Sequence, residues 1–229
     1  MCGRYDLTEL PIELFEQMLG EAIRNQRGDL KARYNIAPTQ SVPIIRRGAD
    51  GLLELVDTRW GLLPFWAKQP TLSYNTINAR AETVERSAAY RAPFKHRRCL
   101  VPATGWYEWQ TVVGQSSKQP WHMRLHGNQP LAFAGLWDRW SGDGKTIESN
   151  TIIVTDAVEV LRSVHDRMPV ILSPDGIRPW LDAEEQNPAH LKALLQPYAP
   201  PELEAYQVST RVNNARTDAP DLIAPKPGD

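Results

Sequence analysis

Apolar residues at Leu14, Phe15, Met18, Leu19, Ala22 and Ile23 recur at helical spacing and predict an early amphipathic helix, with Thr8 as its candidate cap. The pattern then changes period. Val42–Ile45 and Leu52–Val56 flank Arg47-Gly48-Ala49-Asp50-Gly51, which reads as a hairpin. Further strand-like runs follow at Cys99–Ala103, Trp106–Gln110, Trp121–Leu125, Leu131–Trp137 and Thr151–Thr155, most separated by turns bearing Gly, Asn or Ser. Short helices are predicted around Ala81–Tyr90, Ala157–Ser163, Pro174–Leu181 (Ser173 as cap, proline in the first position) and Pro188–Leu195. Short turns, not helical crossovers, join most strands, so the expectation is one antiparallel-rich α+β domain. The stretch from Asp218 to Asp229 carries three prolines and reads as irregular.

Composition narrows the class. The chain of 229 residues has 41% hydrophobic and 23% charged residues, which argues against intrinsic disorder and coiled coil. No apolar run approaches the roughly 18–20 residues of a membrane span. The start, Met1-Cys2-Gly3-Arg4-Tyr5, lacks the layout of a signal peptide, so a cytoplasmic protein is expected. A net charge of −1 excludes a uniformly basic surface but not a basic groove, and 19 of the 26 basic residues are arginine. That bias suits bidentate contacts to phosphate or carboxylate. Two cysteines, Cys2 and Cys99, make neither a disulfide framework nor a four-cysteine zinc site; no metal and no cofactor is expected.

Four segments carry candidate chemistry. Removal of Met1 would leave Cys2 as a 1,2-aminothiol, whose α-amine has a pKa near about 7.7–8.0. The amine can form an imine with an aldehyde and the thiol can close a thiazolidine; alternatively the thiol attacks an acyl group, or position 2 is merely small. In Asn78-Ala79-Arg80, an amide and a guanidinium suit a sugar and its phosphate, whereas the bland reading is a helix cap. On a strand, Glu108 faces opposite to Tyr107 and Trp109 and shares its side with Trp106, so desolvation would raise its pKa; the alternative is a solvated outer face. In His165-Asp166-Arg167, the imidazole titrates near neutrality, Asp166 is placed to orient it and Arg167 to take a phosphate, or Asp166 and Arg167 simply pair. His96, His122, His126 and His190 read as structural or surface residues.

Taken in order, Met1-Cys2-Gly3-Arg4-Tyr5, Arg33-Tyr34-Asn35-Ile36-Ala37-Pro38, Trp60-Gly61-Leu62-Leu63-Pro64, Asn78-Ala79-Arg80-Ala81-Glu82-Thr83, Arg98-Cys99-Leu100-Val101-Pro102 with Gly105-Trp106-Tyr107-Glu108-Trp109, Phe133-Ala134-Gly135-Leu136-Trp137 and His165-Asp166-Arg167-Met168-Pro169 closely resemble the SRAP family of SOS-response-associated peptidase-like, abasic-site processing proteins. The likeness runs from residue 2 to about Val212. It implies a domain over residues 2–217 with a β-rich, barrel-like core and peripheral helices, and an irregular tail over 218–229. It also implies a cleft for single-stranded DNA, a covalent thiazolidine link between Cys2 and a ring-opened abasic deoxyribose, and lyase-type imine chemistry. By motif, Asn78 would position the sugar, Glu108 shuttle protons and His165 assist ring opening and reversal. Arg4, Arg80 and Arg167 would hold phosphates, Trp66 and Trp109 would stack on bases, and Pro38 and Thr155 would line the cleft. The implied protein is a monomer, bound to no membrane or metal, cytoplasmic, and associated with the nucleoid during DNA damage.

The rival reading is a cysteine peptidase with Cys2 as thiol nucleophile, with removal of its own Met1 as the narrowest form of that activity. Both reactions want a nucleophile, a base and an orienting group. The arginines favour DNA, because Arg4, Arg80 and Arg167 each sit within two residues of Cys2, Asn78 or His165. A non-covalent DNA-binding module would leave the aminothiol and Glu108 without a role.

Overall fold

The computed structural model describes residues 2–114 and 116–227. Its elements run β1 (Arg4–Leu7), α1 (Ile12–Leu19), β2 (Ile23–Asn25), β3 (Arg33–Ile36), β4 (Ser41–Arg47), β5 (Leu53–Trp60) and β6 (Asn78–Arg80). They continue with α2 (Arg91–His96), β7 (Arg98–Ala103), β8 (Gly105–Gln110), β9 (Gln119–Leu125), β10 (Leu131–Gly142) and β11 (Lys145–Asp156). Last come β12 (Arg167–Pro169), α3 (Pro174–Leu181), α4 (Pro188–Ala193) and β13 (Leu203–Gln207). No helix among them is long and apolar enough to cross a membrane.

The long runs read from the sequence form a closed ring. β5 pairs with β4, β4 with β7, β7 with β10 and β10 with β11, all antiparallel, and β11 returns to β5 in parallel at Ser149↔Arg59 and Asn150↔Trp60. β2, β6 and β12 extend this barrel. A second sheet, in the order β13-β9-β8-β1-β3, packs against it. The apolar runs lack clean alternation because both faces are covered. On β10, Ala132, Ala134 and Leu136 belong to the core under the helices, whereas Leu131 and Phe133 belong to the core between the sheets. The inter-sheet core stacks aromatics edge to face, Tyr5 on Trp60 at 5.2 Å and Trp106 on Phe133 at 5.9 Å.

Four expectations need correction. The first helix stops at Leu19, because Gly20 takes the left-handed conformation (φ 71°) and closes the turn to Glu16; Ile23 then enters β2 beside β5. Pro11, not Thr8, precedes that helix, and Thr8 instead bonds the Thr104 hydroxyl. Residues 81–90 form successive turns pinned at Thr83 and Ser87, and the helix begins only at Arg91. The region after Ala157 is a single 3-10 turn at Glu159–Leu161. Both proline-initiated helices are present; Asn187 caps α4 through the Ala189 amide, while the Ser173 side chain makes no capping bond. The segment from Asp218 to Pro227 is irregular apart from a 3-10 turn at Pro220–Ile223, yet it is packed down, with Leu222 fully buried. Gly228 and Asp229 lie outside the described residues.

β1 is paired along both edges. It lies between β3 and β8, with Arg4 opposite Tyr107, Tyr5 opposite Trp106 and Asp6 opposite Gly105. Asp6, wholly buried, reaches His122 Nε2 on β9 at 2.6 Å. His122 Nδ1 lies 3.0 Å from the Tyr206 hydroxyl, which itself donates to the Ile223 carbonyl. That last bond leaves the tyrosine oxygen free to accept from Nδ1, so the three side chains form one chain of hydrogen bonds. The contact passes over Gly105. A Cβ there would stand 2.5 Å from His122 Nε2, 2.6 Å from the Met123 carbonyl and 2.8 Å from Asp6 Oδ1. Gly105→Ala is therefore expected to cost about 2–3 kcal/mol by overpacking, or roughly 5–10 °C in Tm for a chain of this size. An unchanged melting curve would show that the Asp6–His122 pair yields freely.

Candidate functional site

The site lies where the start of β1 meets both sheets. Cys2 is fully buried, its thiol 3.9 Å from the Arg4 carbonyl, within the apolar cluster that also holds Trp106, Ile152 and Val154. Burial, reinforced by the nearby charge of Glu108, pushes the Cys2 thiol pKa up. It is a protonated thiol at neutral pH. Met1 lies outside the described residues.

Glu108 sits on β8, one position beyond Tyr107, which pairs with Arg4. Its side chain is 3% exposed. Burial raises its carboxyl to about 7, so protonated and ionised forms coexist near neutrality. Trp106, expected to desolvate it from the same side, lies in the inter-sheet core.

His165 approaches from the barrel side, on the loop leading into β12. Gln110 of β8 donates to the Ser163 carbonyl at 2.8 Å, and Asp166 accepts from the Ala157 amide through its backbone, so this loop is tied to both sheets. His165 Nε2 stands 3.9 Å from Glu108 Oε2. Its Nδ1 meets the Arg167 backbone amide at 3.0 Å and Asp166 Oδ1 at 2.8 Å. The amide can only donate, so in the neutral ring Nδ1 accepts and the proton resides on Nε2, facing Glu108; protonation would turn Nδ1 into a donor to Asp166. Burial lowers the His165 pKa, which favours the neutral ring.

Asn78 opens β6, a strand lying parallel to β11 with Asn78 opposite Ile152 and Arg80 opposite Val154. The segment before it is anchored from the barrel: Trp60 Nε1 donates to the Ile77 carbonyl at 2.9 Å, and Leu62 donates to that of Thr76. Asn78 Nδ2 makes one long bond to the Ile152 carbonyl, 3.5 Å, and its buried Oδ1 has no partner among the described residues. Asn78 therefore holds an unused acceptor beside the cluster containing Cys2. It is a strand residue, not a helix cap.

The remaining predicted residues are placed unequally. Arg80 is exposed and makes no ion pair among the described residues. Arg167 pairs with Glu82 and with Asp156, rather than with its neighbour Asp166. Arg4 is turned toward the C-terminal segment: it donates to Asn35 Oδ1 at 2.8 Å and to the carbonyls of Val212 and Asn213, with Trp109 at 6.0 Å. Trp109 Nε1 donates to Asn213 Oδ1 at 2.7 Å. Trp66 is 45% exposed, Pro38 half-buried and Thr155 buried opposite Met168. Among the described residues no group of three or more His, Cys, Asp or Glu side chains is arranged to hold a metal.

Two partners of the predicted site residues were not singled out from the sequence. Asn35 gathers the Val212, Asn214 and Thr217 carbonyls on its amide while accepting from Arg4, so it holds the C-terminal segment against β1. Glu82 holds Arg167. Both stand inside the quoted motifs, which was the one available signal.

The arrangement defines the class: this is an α+β barrel protein whose candidate site gathers a buried cysteine, a raised carboxyl and an imidazole where two sheets meet. The chain belongs to the SRAP family, described as SOS response associated peptidase, whose model matches residues 1–215. It is 38% identical over 225 residues to the abasic site processing protein YoqW of Bacillus subtilis, covering 97% of this chain and 99% of that one. The abasic site processing protein HMCES of Xenopus tropicalis is 33% identical over 265 residues, covering 98% and 78% respectively. A crystal structure of a protein from Bacteroides thetaiotaomicron shares the fold, with a TM-score of 0.81 at 24% identity over 98% of this chain and all of that one. A phage-related protein from Bordetella bronchiseptica aligns with a TM-score of 0.70 at 31% identity, over 90% and 94%.

The raised carboxyl has a measurable cost. Below about pH 4.5 Glu108 is protonated whether folded or unfolded, and it has no effect on stability. Between there and about 7 the unfolded chain ionises while the folded one does not, so stability falls as pH rises and levels off above about 7. Glu108→Gln removes this penalty. Its stability gain over wild type should be near zero at pH 4, grow through pH 5–7 and plateau at about 3 kcal/mol by pH 8. Denaturant melts across that range check it; a gain independent of pH would mean that Glu108 is not desolvated.

Proposed function

We propose that the chain processes abasic sites in single-stranded DNA by capturing the ring-opened deoxyribose as a thiazolidine on Cys2 after removal of Met1. The observation that carries this reading is one buried carboxyl, Glu108, with a pKa of about 7 beside Cys2 and across from the Nε2 of His165. The similarity to abasic site processing proteins over nearly the whole chain supports it.

The α-amine of Cys2 adds to the C1′ aldehyde, giving a carbinolamine. Protonated Glu108 gives its proton to the departing hydroxyl, water leaves and an iminium forms. The resulting carboxylate takes the thiol proton, and sulfur adds to C1′ to close the ring. One water is released per link and Glu108 ends protonated, as it began. A carboxyl titrating near the working pH suits both halves. His165, with its proton on Nε2, serves ring opening at the deoxyribose O4′ and the reverse reaction, and the unused Asn78 Oδ1 accepts a sugar hydroxyl. The groove would run past Arg80 and Arg167, with Trp66 and Trp109 as stacking surfaces that tolerate any base.

The same set is less suited to a peptidase. A cysteine protease wants a thiolate, made by lowering the thiol pKa, whereas burial and Glu108 push Cys2 the other way. Amine-first addition followed by proton removal at the iminium avoids a free thiolate.

Incubated with an abasic single-stranded oligonucleotide, mature protein should give a heat- and detergent-stable shifted band, while protein shown by mass spectrometry to retain Met1 should give none. Cys2→Ser with verified Met1 removal should lose that band, yet still trap with borohydride and nick the strand, because an uncaptured imine acidifies the C2′ protons and eliminates the 3′ phosphate. Full crosslinking by Met1-retaining protein, or a serine variant that neither traps nor nicks, would overturn the amine-first order. Arg80→Ala should weaken binding and reduce the log–log salt slope by about 0.7; an unaltered slope would move the groove elsewhere.

A further inference from the structure

The arginine best placed beside His165 is not free. Arg167 is bound by Glu82 and lies 3.4 Å from Asp156 Oδ1, so the guanidinium is shared between two carboxylates from different elements. The backbone enforces the grouping: Asp156 is the register partner of Arg167 across β11 and β12, and Arg80 ends β6 on the other side of β11. The Ala81 amide donates to the Val154 carbonyl at 2.9 Å, which sets Glu82 just past that ladder. Arg80 contributes a second, weaker attraction to Glu82. Two guanidiniums and two carboxylates thus occupy the width of three strands, and their charges cancel.

Exposure gives the arrangement a direction. Arg167 is 21% exposed, whereas Glu82 and Asp156 are 45% and 69% exposed. Both carboxylates are more open to solvent than the cation they hold, so a phosphate that approaches Arg167 also meets their negative charge. Beside them opens a cleft of about 360 Å³ lined by Glu82, Thr155, Asp156 and Lys192. Lys192 is itself paired with Glu85 at 3.1 Å.

Resting on the proposed capture of abasic DNA, we propose that Glu82, aided by Asp156, restrains Arg167 as a phosphate-binding residue, keeping the groove weak for intact single-stranded DNA. Retention then comes from the covalent bond, which only a strand with an aldehyde can form. A groove of fully available arginines would instead hold intact DNA, which far outnumbers lesions, and leave little protein for capture. Glu82 is thereby a specificity-determining residue for the reaction: it sets how much of the discrimination falls to chemistry rather than to charge.

The test isolates the charge. Glu82→Gln keeps an oxygen acceptor for Arg167 at the same reach but removes the anion. Titrating a fluorescent intact oligonucleotide at low ionic strength, the variant should bind roughly 3–10-fold more tightly than wild type, with a steeper salt dependence as another phosphate contact becomes available. Unlabelled intact DNA should also suppress capture of an abasic strand at lower concentrations with the variant. Asp156→Asn should act in the same direction, more weakly, since it lies farther from Arg167. Affinity unchanged or weakened in Glu82→Gln would overturn the proposal, the second outcome making Glu82 an orienting partner for Arg167. The two layers separate cleanly. Stable adducts without tighter binding by the variant sink the restraint alone, while tighter binding with no adduct from either protein sinks the capture reading alone.

Discussion

Everything at the site depends on burying Cys2. Backbone pairing on both edges of β1 draws Arg4 to Leu7 into the middle of a sheet, and Cys2 follows them into the inter-sheet core. Desolvation there does two things at once. It holds the thiol protonated and it brings a neighbouring carboxyl up to about 7. The stability that Glu108 removes must come from elsewhere, and the neighbouring sources are the Asp6–His122–Tyr206 chain, the Tyr5–Trp60 stack, and the Arg4–Asn35 link to the C-terminal segment.

The two-sheet architecture explains how the candidate site gathers from so few residues. The second sheet delivers Cys2, just ahead of β1, and Glu108 on the neighbouring β8; the barrel delivers Asn78 and Arg80 on one side of β11 and Arg167 on the other. His165 spans the seam, and its loop is tied to β8 by Gln110. Arg4 points a different way. Its donors to Asn35, Val212 and Asn213 make it a brace between β1 and the C-terminal segment in this structure, with its guanidinium near Trp109.

Long strands covered on both faces were legible in the sequence, because continuous apolar runs such as Leu131–Leu136 have few other solutions. The hairpin at Arg47–Gly51 and both proline-initiated helices were legible for local reasons of turn and cap chemistry. The short strands were not. β1, β6 and β12 are three or four residues long and rich in Arg, Asn and Asp, and what makes them strands is the partner each one meets, not their own pattern. The turns at 81–90 misled for the opposite reason: helix-forming residues are present, but local turns and tertiary contacts decide their course. At the site, residue chemistry singled out Cys2, Asn78, Glu108 and His165. What escaped it was pairwise geometry, such as Glu82 meeting Arg167 from 85 residues away.

In the proposed capture, the nitrogen and the sulfur of Cys2 end on the same carbon. An oligonucleotide carrying an abasic site labelled with carbon-13 at C1′, mixed with mature protein, reports this directly by NMR. Capture requires the labelled carbon to become saturated and bonded to both nitrogen and sulfur, with cross-peaks to the Cys2 α- and β-protons through those atoms. A carbon that stays an imine, or that bonds sulfur and oxygen without nitrogen, would contradict it.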